Sequence, residues 1–154
     1  MNDPRRSSPD PKASTVLAFD YGERYIGVAV GDTQTGLAHP AGHYEASRDE
    51  QRYAQAESLV REWRPQRLVV GLPLGPQGED HLMSARSRRF ARRLAARTGL
   101  PVDLVDERLS SASAEETLRS IGRGGRRNKH LVHAVAAQVI LQAWLDQAKA
   151  GHAA

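Results

Sequence analysis

Carboxylates stand at two places where a buried strand runs out in this 154-residue chain. Asp20 closes the run Val16-Leu-Ala-Phe-Asp20, in which Val16, Ala18 and Asp20 share one face while Leu17, Phe19 and Tyr21 take the other. Asp106 and Glu107 directly follow a second apolar run, Val102-Asp-Leu-Val105. Ionised carboxylates are rarely buried without a partner. Acids gathered at one sheet edge are the donors that hard divalent cations such as Mg²⁺ take, with water and phosphate oxygens completing the shell. Each acid also has a plainer reading. Asp20 can cap the Gly22-Glu-Arg24 turn, and Asp106 or Glu107 can pair with Arg108 or cap a following helix. Histidine does not decide between them. His39, His43, His81 and His152 show no ligand spacing and read as surface residues, and His133, beside Val132 and Ala136, reads on its own as a partly buried core histidine.

The elements that must position these acids follow from periodicity. Gly22-Glu-Arg24 is a reversal into a second strand, Tyr25 to Val30, where Ile26, Val28 and Val30 alternate with Gly27, Ala29 and Gly31. That small face leaves room for a backbone, a phosphate or a metal near Asp20. Gly36 to Tyr44 is a weak third strand, put at a sheet edge by Pro40. Ser47-Arg-Asp-Glu50 has capping-box spacing ahead of a helix with Tyr53, Ala56, Val60 and Trp63 at core intervals. Arg67 to Pro73 is a short apolar strand, a helix spans His81 to Thr98, and Ser113-Ala-Glu-Glu116 opens another short helix that the Gly122 to Arg127 run breaks. A last helix runs from Asn128 to Ala148 on a stripe of Val132, Val135, Ala136, Val139 and Ala143. Three strands followed by alternating helices and strands imply one mixed α/β sheet with helices on both faces. If the later strands run parallel to the first, both acidic spots emerge at strand carboxyl ends, the ligand-binding edge of open α/β sheets.

Composition narrows the function classes. The chain has no cysteine, which excludes disulfides, thiolate metal sites and thiol nucleophiles and fits a reducing cytoplasm. No apolar run is long enough to span a membrane, and residues 1–13 read as a disordered leader rather than a signal sequence. Net charge is +4, yet residues 81–129 carry 12 Lys/Arg against 5 Asp/Glu. This basic patch, mostly arginine, points to a polyanionic partner. Arg86, Arg88, Arg89, Arg92, Arg93 and Arg97 lie on a helix whose other face is apolar and read as a solvated face. Arg108, Arg123, Arg126, Arg127 and Lys129 are the better candidates to grip phosphates, because they flank the acids or lie in the Gly loop. Tyr21 and Tyr25 are the only aromatics expected near the acid, too few for strong single-strand readout.

Four blocks together carry a resemblance: Phe19-Asp-Tyr-Gly22 with Gly27-Val-Ala-Val30, Val69-Val-Gly-Leu-Pro-Leu74, Val105-Asp-Glu-Arg-Leu-Ser-Ser111, and His133-Ala-Val-Ala-Ala-Gln-Val-Ile-Leu141. In order and spacing they resemble the RuvX/YqgF family over about residues 14–148, the single domain of the chain, with 149–154 left as a flexible tail. The resemblance implies a ribonuclease H-like fold, related to RuvC-type resolvases. It also implies a metal-dependent phosphodiesterase that matures the 5′ end of pre-16S rRNA or resolves four-way DNA junctions. On it, Asp20 and Glu107 match two family acids and Asp106 is a neighbouring carboxylate outside the ligand set. The family's third Asp is replaced here by His133. A two-metal site of Asp20, Glu107 and His133 would then take Mg²⁺ or, with a softer nitrogen donor, preferably Mn²⁺. The competing classes are a catalytically lapsed RNA-binding factor of the pre-ribosomal small subunit and a fragment of a sugar-kinase-like phosphate-binding fold, for which one lobe is too short.

Overall fold

The computed structural model describes residues 14–109, 116–117, 119–120 and 129–153. Five strands form one sheet: β1 (Thr15–Asp20), β2 (Tyr25–Asp32), β3 (Ala38–Glu45), β4 (Arg67–Leu72) and β5 (Val102–Asp106). Their spatial order is β3-β2-β1-β4-β5. The first three strands are antiparallel, whereas β4 and β5 run parallel to β1. The carboxyl ends of β1, β4 and β5 therefore share one edge, which meets the condition for the two acidic spots to emerge together. Helices α1 (Asp49–Trp63) and α2 (Leu82–Thr98) cover one face and α3 (Lys129–Ala153) the other. This is the expected mixed α/β architecture.

Strand alternation divides the core in two. Leu17, Phe19, Ile26, Val28, Leu68 and Val70 meet Tyr53, Ala56, Phe90 and Leu94 on the α1/α2 side. Val16, Ala18, Ala29, Val69 and Val105 meet Ala137, Ile140, Leu141 and Leu145 of α3 on the other side. At the end of β1 the first core closes in aromatic contacts: Phe90 meets Phe19 at 5.9 Å, Tyr21 at 5.3 Å and Tyr53 at 5.6 Å between ring centroids. Tyr21 is thereby anchored on one face immediately after Asp20 leaves on the other.

Several local expectations are corrected. Helix α1 starts at Asp49 after Arg48, an extended N-cap with no side-chain cap bond, so the capping box read at Ser47 is not formed. Asp49 instead pairs with Arg52 one turn on, and Ser47 stays outside the helix. The box appears at α2, where the His81 side chain accepts from Met83 and Ser84 Oγ accepts from the His81 N–H at 3.0 Å. Trp63, read as a core position, is 38% exposed at the helix end. The core stripe of α3 also differs. Its buried residues are Ala134, Val135, Ala137, Ile140, Leu141 and Leu145; of the expected Val132, Val135, Ala136, Val139 and Ala143, Val135 is buried and the other four are half-buried, Ala143 against the core. The helix is apolar on nearly every side, so periodicity alone does not select a face, and it runs on to Ala153 through the expected tail. Of the short helix expected near 113, residues 116–117 and 119–120 are described and are helical, while the leader 1–13 lies outside the described residues.

What selects the face of α3 is backbone clearance. A Cβ on Gly27 would run into the carbonyl group of His133, and one on Gly31 would come within 2.6 Å of the Leu37 carbonyl oxygen and 3.2 Å of Leu145 Cδ1. The helix backbone thus rests directly on β2 at Gly27. Since the obstructing atoms are backbone and cannot swing aside, Gly27→Ala is expected to cost about 3 kcal/mol, at the upper end of overpacking penalties. Urea denaturation followed by circular dichroism will show this as a lowered midpoint.

Candidate active site

Asp20 is the last residue of β1, on the α3 face of the sheet. The strand register puts Asp20 opposite Gly27 and Gly27 opposite His43. On the other side Phe19 pairs with Val70, so Asp20 lies level with Gly71, which in turn pairs with Val105. Asp20 therefore sits between two glycines. Gly27 admits the backbone of α3, the occupant for which the small face of β2 has room. Gly71 admits the second acid. Glu107 opens a single 3₁₀ turn after β5, and its carboxylate lies across Gly71, where a Cβ would be 2.8 Å from Glu107 Oε2 and would collide with Ile140. The parallel sheet and one missing side chain thus gather two acids that are 87 positions apart in sequence.

Their electrostatics follow from this placement. Burial pushes Asp20 from 3.8 up to about 7, with the negative charge of Glu107 adding to the effect. Glu107 is also raised, first by burial and then by Asp106. Both acids hold their protons more tightly than a free carboxyl, because desolvation and like charge each disfavour the anion. A cation would relieve both penalties.

Asp106 turns the other way and takes its plainer reading. Its carboxylate accepts from Arg108 Nε at 3.0 Å, Nη2 at 2.6 Å and the backbone N–H at 2.9 Å, and these bonds hold it below the ordinary Asp value. Arg108 Nη1 also donates to the Pro76 carbonyl at 3.3 Å. The pair ties the loop after β4 to the end of β5, so Arg108 is committed to Asp106 rather than held out toward a phosphate. The α2 arginines are largely matched by acids: Arg86 by Glu23, Arg88 by Asp80, Arg93 by Asp49 and Arg97 by Glu57.

The third expected ligand is placed differently. The His133 ring lies with Tyr25 at 5.3 Å and His43 at 5.5 Å between centroids, and Tyr25 and His43 meet at 5.6 Å. Among the described residues no group of three or more His, Asp or Glu side chains is arranged to hold a metal ion. The expected triad is thus a pair of carboxylates with His133 beside it, its backbone over Gly27 and its ring among aromatics. His43, read from sequence as a surface residue, is exposed but belongs to this neighbourhood. Its pairing to Gly27 depends on a bulge in β3, where Ala29 pairs with Pro40 but Val28 with Gly42. Arg123, Arg126 and Arg127 lie outside the described residues, and Lys129 opens α3. The two-carboxylate site fits a hard divalent cation in chemistry: oxygen donors only, desolvated, and mutually repelling without one.

A family model described as "RuvX: Holliday junction resolvase" matches residues 14–147. The chain belongs to the RuvX family. It is 52% identical over 132 residues to a Chromobacterium violaceum relative named as a pre-16S rRNA nuclease, covering 85% of this chain and 96% of that one. A Methylobacillus flagellatus relative of the same name is 48% identical over 141 residues, covering 90% and 97%. In fold, this RuvX-family chain is similar to Thermus thermophilus RuvC in complex with a Holliday junction substrate, with TM-score 0.60, 14% identity and coverage of 89% and 96%. It is also similar to the yeast mitochondrial Holliday junction resolvase Ydc2, with TM-score 0.54, 11% identity and coverage of 89% and 80%. The ribonuclease H-like fold read from the four sequence blocks is the one found. No helix among the described residues is long and apolar enough to cross a membrane.

The raised Asp20 value carries a signed consequence for stability. The folded protein holds the Asp20 proton up to about 7, whereas the unfolded chain releases it near 3.8. The stability linked to this proton is complete below about 3.8 and is lost as pH rises through about 7. Metal-free protein should therefore lose stability across that window, and Asp20→Asn should flatten the decline and be the more stable protein at pH 8. Denaturant midpoints of both proteins in chelator from pH 5 to 8 check this.

Proposed function

We propose that this chain is a divalent-cation-dependent nuclease that cleaves phosphodiester bonds in precursor 16S rRNA, with Asp20 and Glu107 as the cation ligands. The Asp20–Glu107 pair carries this reading: two desolvated acids meet at the edge where open α/β sheets bind ligands, and nothing in a purely structural role requires them to repel. The substrate is taken from the names of the relatives and agrees with the basic balance of residues 81–129. When bound, the cation supplies positive charge for the two carboxylates and for the charge that develops on the phosphate. The chain supplies position. Gly71 leaves the space in which the Glu107 carboxylate faces Asp20, and the Asp106–Arg108 pair fixes the strand end that carries Glu107. Arg123, Arg126, Arg127 and Lys129 then bind flanking phosphates without reading sequence. With the His133 ring among aromatics, the donor set is all oxygen, which suits Mg²⁺ as well as Mn²⁺ and weakens the case for Mn²⁺ preference. One cation with the substrate phosphate completing its shell matches two carboxylates better than two cations do. The cytoplasm, where its proposed RNA substrate is made, is the compartment this reading implies.

The family description and the RuvC-like fold favour a second substrate, the four-way DNA junction. Labelled pre-16S RNA and a labelled junction, each incubated with Mg²⁺, Mn²⁺ or chelator, separate the two. Cleavage of the RNA with either cation and none in chelator is the expected result. Asp20→Asn and Glu107→Gln should fall to background. Gly71→Ala, which displaces the Glu107 carboxylate while leaving both acids in the chain, should lose on the order of 10²-fold, the cost of misplacing a reacting group by about 1 Å. Wild type inactive in every condition with His133→Asp active would mean a lapsed nuclease that keeps the fold as an RNA-binding factor.

A further inference from the structure

Beside the two carboxylates lies a group of three rings, one each from β2, β3 and α3. Tyr25, His43 and His133 are in mutual contact, with centroids 5.3–5.6 Å apart. His43 is exposed and the other two are half-buried. The His133 backbone rests on Gly27, and its ring reaches across to Tyr25 of β2 and His43 of β3. They are also close to the acids: the register Asp20–Gly27–His43 spans two strand spacings, about 10 Å. Arg24 extends the group, its guanidinium 5.3 Å from the Tyr25 ring centre.

We propose that Tyr25, His43 and His133 form a stacking platform for an unpaired nucleobase next to the phosphodiester held at Asp20 and Glu107. The proposal rests on the nuclease reading for its ligand class and adds what that reading lacks, a contact to a base. Tyr and His rings stack any base through its π-face, so such a platform favours unpaired over paired nucleotides without reading sequence. A base splayed onto it would leave its own phosphate near the carboxylates, with Arg24 at the outer edge to meet the next phosphate. His133 then has a role as a ring, and the histidine that replaces an acid here contributes to substrate placement.

The test reads binding, so it stands whether or not cleavage occurs. In an Asp20→Asn background, which keeps strands intact, a short single-stranded RNA and its DNA counterpart carrying 2-aminopurine are titrated with protein, and fluorescence quenching reports stacking. An abasic strand of equal length is the control. His43→Ala and Tyr25→Leu are expected to lose the quenching and bind the base-containing strand roughly ten- to hundredfold more weakly, the size of one lost stack. Tyr25→Phe and His43→Phe, which keep a ring, should retain both. All variants should bind the abasic strand alike. His43→Ala substitutes an exposed residue, and thermal melts verify that each variant is folded. Undiminished quenching in His43→Ala and Tyr25→Leu, or equal losses on the abasic strand, would overturn the platform while leaving the nuclease reading intact.

Discussion

Two carboxylates that repel each other are held together at one edge of a sheet, and the rest of the molecule is arranged around that unfavourable contact. Asp20 is drawn out of water by α3 on its own face, while Tyr21 is fixed against Phe90 on the opposite face. Glu107 is folded back by a single 3₁₀ turn onto the surface that Gly71 leaves bare. Whereas Arg108 holds Asp106 down, burial raises both Asp20 and Glu107, and the charge of Glu107 adds to the rise at Asp20. A protein selected for stability alone would replace such a pair, so its presence at the ligand-binding edge is an argument for function.

Glycine does the positioning on both sides of Asp20. On β2 it lowers the helix onto the strand, and on β4 it opens a place for the second acid. The two effects are separable: the first is a packing constraint that the whole fold feels, and the second concerns one carboxylate and Ile140. The Asp106–Arg108 pair adds a third restraint by joining the loop at Pro76 to the strand end. It is exposed, and its value lies in orientation more than in stability.

Much of this was legible in the sequence because it depends on period and order. The face shared by Val16, Ala18 and Asp20 and the small face of β2 follow from alternation and turn residues, and the order of strands and helices is that of a mixed sheet. Three features did not, each for a physical reason. The N-cap of α1 depends on one residue's backbone angles, which the spacing of Ser47 and Glu50 does not determine. The face of α3 is chosen by clearance at Gly27, a contact between elements more than 100 residues apart. His43 was missed because β3 carries a bulge: Ala29 pairs with Pro40 but Val28 pairs with Gly42, leaving one extra residue. Strict alternation from Ala38 and Pro40 puts position 43 on the α1/α2 side, and the extra residue turns it to the side of Asp20. His133 shows a further limit, since its match to a family acid fixes its place in the helix but not the direction of its ring.

The central claim is that Asp20 and Glu107 form one charge-strained pair at the sheet edge. The titration of the Asp20 carboxyl, followed by carbon NMR with aspartate labelled at Cγ and assigned by Asp20→Asn, tests it most directly. Without metal the midpoint is expected near 7, and saturating Mg²⁺ should drive it down toward or below the ordinary aspartate value of 3.8. A midpoint already near 3.8 in metal-free protein, unmoved by Mg²⁺ and unchanged in Glu107→Gln, would contradict the account.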